Sequence, residues 1–386
     1  MEKIISTEKM PIKLWLSDIE AGALAQARNL ANLPFAFGHI AIMPDAHQGY
    51  GMPIGGVMAT QNVIVPNAVG VDIGCGMCAV RTSLSSINTD ALKKIMREIR
   101  GTIPLGFKHH KKKQNPALMP ETDQNLYIVD QEYGNALTQI GTLGGGNHFI
   151  EIQQGSDGRI WLMIHSGSRN IGYRVANFYN KLAGELNKKW KSPVPPNWQL
   201  AYLPLDSRQG QQYLHEMLYC VEFALANRKL MMERMKAAVN STVTDVTFEP
   251  AINVAHNYAA LEQHFGAKVI VHRKGATLAR KGEFGIVPGS QGSASYIVIG
   301  RGNPESFESC AHGAGRTMGR KQAQRQLDLQ VEKKRLDDQG IIHAIRSKRD
   351  LDEAAGAYKD ISTVMKNQAD LVEVAIKLKP LAVIKG

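Results

Sequence analysis

Five residues of types that bind metal ions are spread through the sequence. They are one carboxylate, one thiol and three imidazoles: Asp72, Cys75, His148, His165 and His256. This mixture of oxygen, sulfur and nitrogen donors suits a borderline divalent ion such as Mn²⁺, Zn²⁺ or Co²⁺ better than Mg²⁺, which prefers oxygen alone. A thiolate has enough lone pairs to bridge two ions. The set therefore predicts a metal centre in which Cys75 can join two metals.

Other interpretations of these residues stay open. A single histidine after a strand is more often structural than a ligand, and the sequence does not show that the five converge. Cys75 and Cys78 also spell Cys-x-x-Cys, a pattern found in structural zinc and redox sites. No second Cys-x-x-Cys accompanies it, however, and residues three apart in an extended chain face opposite ways. This favours a metal site that includes Cys75 without Cys78.

Two segments further along have the composition of a nucleotide site. Residues 288–295 are small residues whose amides and hydroxyls can approach a phosphate or a base, although alone they read as a generic turn. His312 lies between small residues and is followed by Arg316 and Arg320. It could be a ligand, a base or a nucleophile. As a nucleophile at a nucleotide's α-phosphate it would form a phosphoramidate, with nearby cations stabilising the charge.

Short apolar runs precede the candidate ligands, and Gly-rich turns carry them. Residues 69–73 lead to Cys75, and residues 160–164 end at His165. Such strand ends present side chains on the rim of a sheet. The remaining pattern predicts a helix from a Ser17/Glu20 capping box to about Asn32, followed by a strand at 40–43 and a loop at 44–49. Further helices are predicted at 172–190 and 211–239. The last part of the chain has a basic helix-prone segment at 315–335 and a short apolar segment at 381–386.

Composition bounds the class of protein. The 386 residues are 44% hydrophobic and 21% charged, with no linker of low complexity, which predicts one large globular domain over residues 1–386. Strands and helices without regular alternation predict an α+β fold with mixed or antiparallel sheets and surrounding helices. Four cysteines and the lack of a long apolar run or a signal-like start lead us to expect reduced thiols, no membrane association and a cytoplasmic location.

The chain is strongly basic. Its net charge of +11 and pI of about 9.4 suggest a polyanionic partner, although a solvated basic surface would explain the same numbers. The densest basic stretch is 108–113. It is interpreted equally well as a solvated loop or as a contact to RNA phosphates.

Taken together, these segments resemble the RtcB family of RNA ligases from end to end. The matching stretches are 43–49, 70–77, 141–151, 165–169, 256–258, 273–276, 288–295, 312–316 and 383–386. The resemblance implies the RtcB-like fold and a GTP-dependent enzyme with two Mn²⁺ ions. Such an enzyme joins an RNA 3′-phosphate, or a 2′,3′-cyclic phosphate after opening, to a 5′-hydroxyl. The resemblance also implies a role in RNA repair.

The resemblance also implies roles for individual residues. Asp72, Cys75 and His148 would hold one Mn²⁺, and Cys75, His165 and His256 the other. His312 would be guanylylated, and Arg169 and Arg320 would meet RNA phosphates. The GTP-contacting positions would be Asn147, His148, Phe149, Ile150, Glu151, His256, Asn257, Pro288, Gly289, Ser290, Gln291, Ser295, His312, Gly313, Ala314, Gly315 and Lys385.

Departures from the family pattern and alternative functions complete the predictions. Ala46 and Cys78 stand where other members carry different residues, and the chain looks most like a compact bacterial branch with a release-factor-like functional partner. A dinuclear phosphohydrolase or cyclic-phosphate esterase acting on RNA ends without joining would need the metal ligands but not His312, Ser295 or Lys385. An RNA-binding module with a structural metal is the non-enzymatic alternative.

Overall fold

A computed structural model describes residues 1–122 and 125–386. Its strands are β1 (Lys3–Ile5), β2 (Ile12–Leu14), β3 (Ala36–His47), β4 (Ile54–Thr60), β5 (Val63–Ile64), β6 (Gly76–Arg81), β7 (Phe149–Gly155), β8 (Ile160–Ser166), β9 (Leu203–Pro204), β10 (Ile252–Ala255), β11 (Asn257–His264), β12 (Ala267–Lys274), β13 (Ala276–Leu278), β14 (Phe284–Val287), β15 (Ser295–Gly300), β16 (Ser309–Ala311) and β17 (Val372–Lys385). Its α-helices are α1 (Ala21–Ala31), α2 (Thr89–Thr102), α3 (Tyr127–Gln139), α4 (Arg169–Lys189), α5 (Arg208–Asn240), α6 (Arg320–Gln326), α7 (Leu329–Asp337) and α8 (Ile361–Asn367).

Two sheets form the centre of the structure. The first has the order β1-β2-β3-β4-β12-β11, and the second has the order β10-β6-β8-β7-β17-β15-β14. Their pairings are antiparallel except for β2 with β3. The fold is therefore α+β with mixed sheets, as predicted. Because both sheets draw strands from distant parts of the chain, this interleaving supports the proposal that residues 1–386 form one unit.

Helix α5 lies at the centre of the core. Its 33 residues bury Phe223 among the side chains of α3 and α4, and Met231 against the second sheet and α2. Each large side chain that leaves water in this way contributes on the order of 1.5–3 kcal/mol. None of the described helices is long and apolar enough to cross a membrane.

The predicted helices at 172–190 and 211–239 are confirmed as α4 and α5. The Ser17/Glu20 capping box was wrong, because α1 begins at Ala21 and the Glu20 carboxylate accepts the Gln48 amide instead. The segment 44–49 was wrong as a loop, since β3 continues to His47. The basic segment 315–335 contains two short helices with a break where Asp328 caps α7.

Candidate metal and nucleotide site

Four neighbouring strands bring the candidate metal ligands to one end of the second sheet. Cys75 precedes β6, His148 precedes β7, His165 lies in β8, and His256 follows β10. The register pairs Met77 with His165, Phe149 with His165, and Ala255 with Gly76. Residues far apart in sequence therefore share one row. The strand order β10-β6-β8-β7 makes this convergence possible.

The ligand atoms lie close enough to share metal ions. They form two groups, Asp72/Cys75/His148 and Cys75/His165/His256, and within each group the atoms lie within 4.8 Å of one another. Cys75 Sγ lies 3.4 Å from His148 Nε2 and 3.3 Å from His165 Nε2. His165 Nε2 lies 3.4 Å from His256 Nε2, and His148 Nε2 lies 3.0 Å from Asp72 Oδ2. Cys75 is thus the member common to both groups.

The surroundings of the histidines fit metal ligation. His148 Nδ1 donates to the Leu143 carbonyl at 2.9 Å, and His165 Nδ1 donates to the Asn147 carbonyl at 3.1 Å. Because Nδ1 of each ring carries the proton, Nε2 keeps its lone pair and faces the other ligands. Burial holds the pKa values of His165 and His256 well below their usual range, so both rings are neutral near pH 7. A neutral imidazole is the form that binds a metal.

Asp72 and Cys75 complete the donor set. Burial opposes ionisation of Asp72, but the combined interactions with His148, Cys75 and Arg169 outweigh it and lower the Asp72 pKa to about 2. Burial and the adjacent Asp72 raise the pKa of the Cys75 thiol well above its usual range. A cation between these two groups would offset the cost of burying both as anions. The residues present therefore fit the divalent ions that the donor types predict.

Two side chains of α5 fasten the loops that carry the ligands. Asn227 accepts from the amides of Gly141 and Thr142 at 2.7 and 3.1 Å and donates to the Gly167 carbonyl at 3.1 Å. Arg228 is fully buried and donates to the carbonyls of Gly74 and Ser166 at 2.9 and 2.8 Å. These carbonyls immediately precede Cys75 and follow His165. Helix α5 therefore sets the position of three ligand-bearing loops at once.

His312 follows β16 and sits beside the metal ligands. Its ring centroid lies 4.8 Å from that of His256. Its Nδ1 donates to Asp45 Oδ2 at 2.6 Å, and its backbone amide donates to the same oxygen at 3.1 Å. The Lys359 ammonium lies next to this pair, bonded to the Ala46 carbonyl at 2.6 Å. Asp45 thereby fixes the ring and leaves Nε2 of His312 as the free, basic nitrogen.

A cavity of about 230 Å³ opens beside the cluster. Gly146, Gln291, Asp352 and Lys385 are among the residues that line it. Burial raises the pKa of the nearby Glu151 to about 8, although the Lys385 ammonium opposes that shift. The cavity thus has both hydrogen-bond donors and acceptors on its walls.

The Ser-rich segment 288–295 is held next to this cavity by its own hydrogen bonds. Ser295 Oγ accepts from the Gly289 amide at 3.1 Å and from Gln153 Nε2 at 3.2 Å, and Gln153 also donates to Glu151 at 2.6 Å. Lys385 Nζ lies 5.5 Å from the centre of the Phe149 ring. The predicted nucleotide-contacting residues Phe149, Glu151, Gln291, Ser295 and Lys385 therefore lie together.

Other predicted nucleotide residues have structural surroundings. The side chains of Ile150 and Ala314 pack into hydrophobic clusters, so only their backbones can face a ligand. Asn257 accepts from the Gly275 amide at 2.8 Å and donates to the Asp72 carbonyl at 3.1 Å. It holds the metal loop against the strand that leads to β13. Gly315 has φ of +73° and lies against the backbone of Asp45, where a side chain would collide.

The remaining predicted residues lie around the Gly-rich loop and the His312 turn. A side-chain Cβ at Gly313 would lie only 3.3 Å from the Pro288 carbonyl oxygen. The two segments are therefore in close contact. Asn147 contributes its carbonyl to His165, and Ser290 donates its amide to Ser293 Oγ at 2.7 Å.

The two predicted RNA-contacting arginines flank the glycine loop 144–146. The Arg169 guanidinium packs on Gly144, and its Nε donates to Thr142 Oγ1 at 3.3 Å. Arg320 is anchored through Nε to Glu353 at 2.6 Å, and its other end lies against Gly146. Both side chains are fixed at one end, which leaves donors free to bind an anion. Arg316, in contrast, donates its hydrogen bonds to the side chain of Glu353 and to the carbonyls of Asp352 and Met318.

Several residues of the site were missed by sequence reasoning. Asp45 lies 267 positions from His312, and nothing in either local pattern pairs them. Asn227 and Arg228 read as ordinary polar positions of a long helix. Glu353, which binds Arg316 and Arg320, lies in a segment that carries no motif. The sequence signal that could have drawn attention to Arg228 is a charged residue among the apolar positions of a long helix.

The family profile described as "tRNA-splicing ligase RtcB" matches residues 26–133 and 117–386. The RNA-splicing ligase RtcB of Escherichia coli K12 is 38% identical over all of this chain and 99% of its own length. The tRNA-splicing ligase RtcB of Thermococcus kodakarensis is 32% identical over 94% of this chain and 91% of its own. With the profile covering almost the whole sequence and relatives matching it end to end, the chain belongs to the RtcB family.

Proposed function

We propose that this protein is an RNA ligase that uses GTP and two Mn²⁺ ions to join an RNA 3′-phosphate, or a 2′,3′-cyclic phosphate, to an RNA 5′-hydroxyl. The observation that carries the proposal is the Asp45–His312 pair, because it leaves a free imidazole Nε2 beside a two-group metal cluster. The names of the relatives agree with the substrate class. Hydrolysis by a metal-activated water needs only the ligand set, so a carboxylate-oriented histidine outside that set favours a covalent step.

In this proposal His312 Nε2 attacks the α-phosphorus of GTP. The bond from that phosphorus to the β-phosphate oxygen breaks, pyrophosphate leaves, and GMP is held on His312 as a phosphoramidate. Asp45 keeps the Nδ1 proton in place and stabilises the positive charge that develops on the ring. When bound, the Mn²⁺ ions supply positive charge that neutralises the phosphates and orients them for in-line attack.

The later steps return His312 to its starting state. An oxygen of the RNA 3′-phosphate attacks the GMP phosphorus, and the N–P bond to His312 breaks. The RNA 5′-hydroxyl then attacks the activated 3′-phosphate, a phosphodiester forms, and GMP leaves. A 2′,3′-cyclic phosphate needs hydrolysis to the 3′-phosphate first. Arg169 and Arg320, each anchored at one end, would hold the RNA phosphate during these exchanges.

The cavity beside Lys385 is the proposed site of the guanine base. Lys385 lines the cavity and offers a donor for guanine O6. The neighbouring buried Glu151 would accept from the N1 and N2 protons of guanine in its ionised form, which these two donors would stabilise against the effect of burial. The paired strands β17 and β7 hold the two side chains close together, with Lys385 opposite Phe149 and Val383 opposite Glu151. Adenine has no proton on N1, no amine at C2 and an amine in place of O6, so it would donate nothing to Glu151 and would present a donor to Lys385. This arrangement would favour GTP over ATP.

The test is incubation with Mn²⁺ and GTP labelled at the α-phosphate. We expect label on the wild-type protein and a loss of at least about 10³-fold in His312→Ala, because the nucleophile is gone. His215→Ala, which changes a histidine of α5 outside the site, serves as the matched control and should label normally. Label that persists in His312→Ala contradicts the assignment of the nucleophile.

An end-joining assay with defined RNA termini tests the rest of the reaction. Product should require a 3′-phosphate or a cyclic phosphate on one strand and a 5′-hydroxyl on the other. Hydrolysed 3′ ends without joined product would favour the phosphohydrolase alternative. A role in RNA repair beside a release-factor-like partner stays a prediction, to be tested by comparing damaged ribosomal and transfer RNA as substrates.

A further inference from the structure

The loop of residues 106–113, between α2 and α3, combines one aromatic side chain with a dense positive charge. It contains no acidic residue, and its members are Gly106, Phe107, Lys108, His109, His110, Lys111, Lys112 and Lys113. All four lysines are exposed. The sequence alone left this stretch undecided between a solvated loop and a nucleic-acid contact, and its surroundings in the fold now favour the second.

The loop is fastened at both ends. The His110 amide donates to the Thr138 carbonyl at 2.9 Å, and the Lys108 amide donates to the Leu105 carbonyl at 3.1 Å. Arg234 of α5 contacts His110 Nε2 and Gln114 Oε1, each at 2.8 Å. The backbone that carries Phe107 is therefore held in a defined position.

The Phe107 side chain is 98% exposed. A phenyl ring in water contributes nothing to the core and adds a hydration cost. Its flat apolar face is the kind of surface on which unpaired bases stack, and stacking tolerates any base because each has a π face. The neighbouring lysines supply the charge that a phosphate backbone requires.

The loop lies directly beside the proposed RNA phosphate site. The Gly106 amide donates to the Gly144 carbonyl at 3.0 Å, and the Arg169 guanidinium also lies against Gly144. Gly106 also lies next to Gly386, close to the cavity that Lys385 lines. A strand whose terminal phosphate reaches Arg169 would therefore pass this loop.

We propose that the 106–113 loop binds unpaired nucleotides of the RNA substrate next to the reacting end, with Phe107 stacked on a base and Lys108, Lys111, Lys112 and Lys113 on phosphates. The inference rests on the proposed function for the identity of the substrate. It adds a binding surface outside the metal and nucleotide residues. It also gives a role to an aromatic ring that the fold leaves exposed.

The test measures binding of a short, fluorescently labelled single-stranded RNA with a 3′-phosphate at several salt concentrations, without GTP. We expect Phe107→Ala to weaken binding about ten-fold or more through the lost stack. Replacing Lys111, Lys112 and Lys113 by alanine should lower the slope of log affinity against log salt by about 2, since each phosphate contact to a single strand contributes about 0.7.

The far end of α4 offers a matched control, because three exposed lysines flank a partly exposed tryptophan there. Lys188, Lys189, Trp190 and Lys191 lie about 30 Å from Arg169 along the helix. Their replacement by alanine removes the same charge and one aromatic ring, and should leave both the affinity and the slope close to wild type. An equal loss in this control, or no loss in the loop variants, would overturn the proposal.

Labelling of the protein by GTP, which needs no RNA, separates this inference from the proposed function. If wild-type protein takes no label but the loop variants still lose RNA affinity, the binding surface stands and the ligase mechanism does not. If label is normal and RNA affinity is unchanged in the loop variants, the loop proposal alone is refuted. Unchanged RNA affinity in the loop variants would also be the result expected if the loop binds a protein instead of RNA.

Discussion

At the scale of single residues, the position of one carboxylate gives His312 its chemical character. An isolated histidine exchanges its proton between two ring nitrogens, whereas Asp45 accepts from Nδ1 of His312 and so selects the tautomer with Nε2 free. Asp45 Oδ1 is buried and has no hydrogen-bond partner among the described residues. Keeping a half-satisfied carboxylate inside the protein costs stability, which is understandable if the pair serves a reaction.

Replacing Asp45 by asparagine should therefore slow guanylylation without impairing GTP binding. The amide keeps the shape but not the charge that stabilises a positive imidazole, so we expect a fall of about 10²-fold or more in the labelling rate. The KM for GTP should change little, because Asp45 does not line the cavity. Single-turnover labelling at several GTP concentrations measures both, with Asp18→Asn on the surface as control. A raised KM at an unchanged rate would contradict the positioning role.

At the scale of elements, α5 connects the hydrophobic core to the metal ligands. The periodic apolar residues of this helix predict its burial, and they place Asn227 and Arg228 between ligand loops that come from distant parts of the sequence. Burial lowers the pKa of Arg228 to about 10, so it remains charged at neutral pH. Its charge, close to Cys75 and Asp72, favours the anionic forms that bind metal.

Arg228→Met should destabilise the protein, because two buried carbonyls lose their donors while the volume is kept. Each unsatisfied buried acceptor costs about 1–3 kcal/mol, so we expect a loss of about 2–6 kcal/mol in the free energy of unfolding. Arg97→Met, at an exposed position of α2, should change it by less than about 0.5 kcal/mol. Urea unfolding of the metal-free proteins gives both values. Equal effects of the two substitutions would show that Arg228 does not fasten the loops.

At the scale of the whole molecule, metal binding and folding are linked. The ligands lie in or next to the ends of four strands and in a loop, and they converge only in the native state, so an ion that binds them stabilises that state. At a concentration of one hundred times Kd the stabilisation is about 2.7 kcal/mol. The two cysteines of the Cys-x-x-Cys segment allow a matched comparison, because Cys75 belongs to both ligand groups and Cys78 packs in the core.

Addition of Mn²⁺ should raise the Tm of the wild-type protein, and chelation should reverse the rise. Cys75→Ala should lose most of this shift, since both ligand groups lose a shared member. Cys78→Ala should lower the starting Tm through the small cavity it leaves but keep the shift on adding Mn²⁺. Differential scanning calorimetry with and without the ion measures each value. A full shift in Cys75→Ala would exclude Cys75 as a ligand.

The sequence by itself determined the donor types, the family and the long elements. The chemistry of Asp72, Cys75 and the three histidines follows from residue type, and α4 and α5 follow from apolar periodicity because it extends over many turns. Element ends depend on single contacts, and Glu20 was misassigned because its carboxylate accepts from Gln48 across the fold. Such a contact leaves no mark in the local pattern.

Only the tertiary structure decided which residues act together. The antiparallel register of β10, β6, β8 and β7 places the ligands in one row, and the pairing of β17 with β7 brings Lys385 opposite Phe149. The Asp45–His312 pair and the hydrogen bond from Gly106 to Gly144 likewise join residues distant in sequence. The physical reason is that local sequence sets conformational preference, whereas long-range strand pairing and burial set proximity, and catalysis depends on proximity.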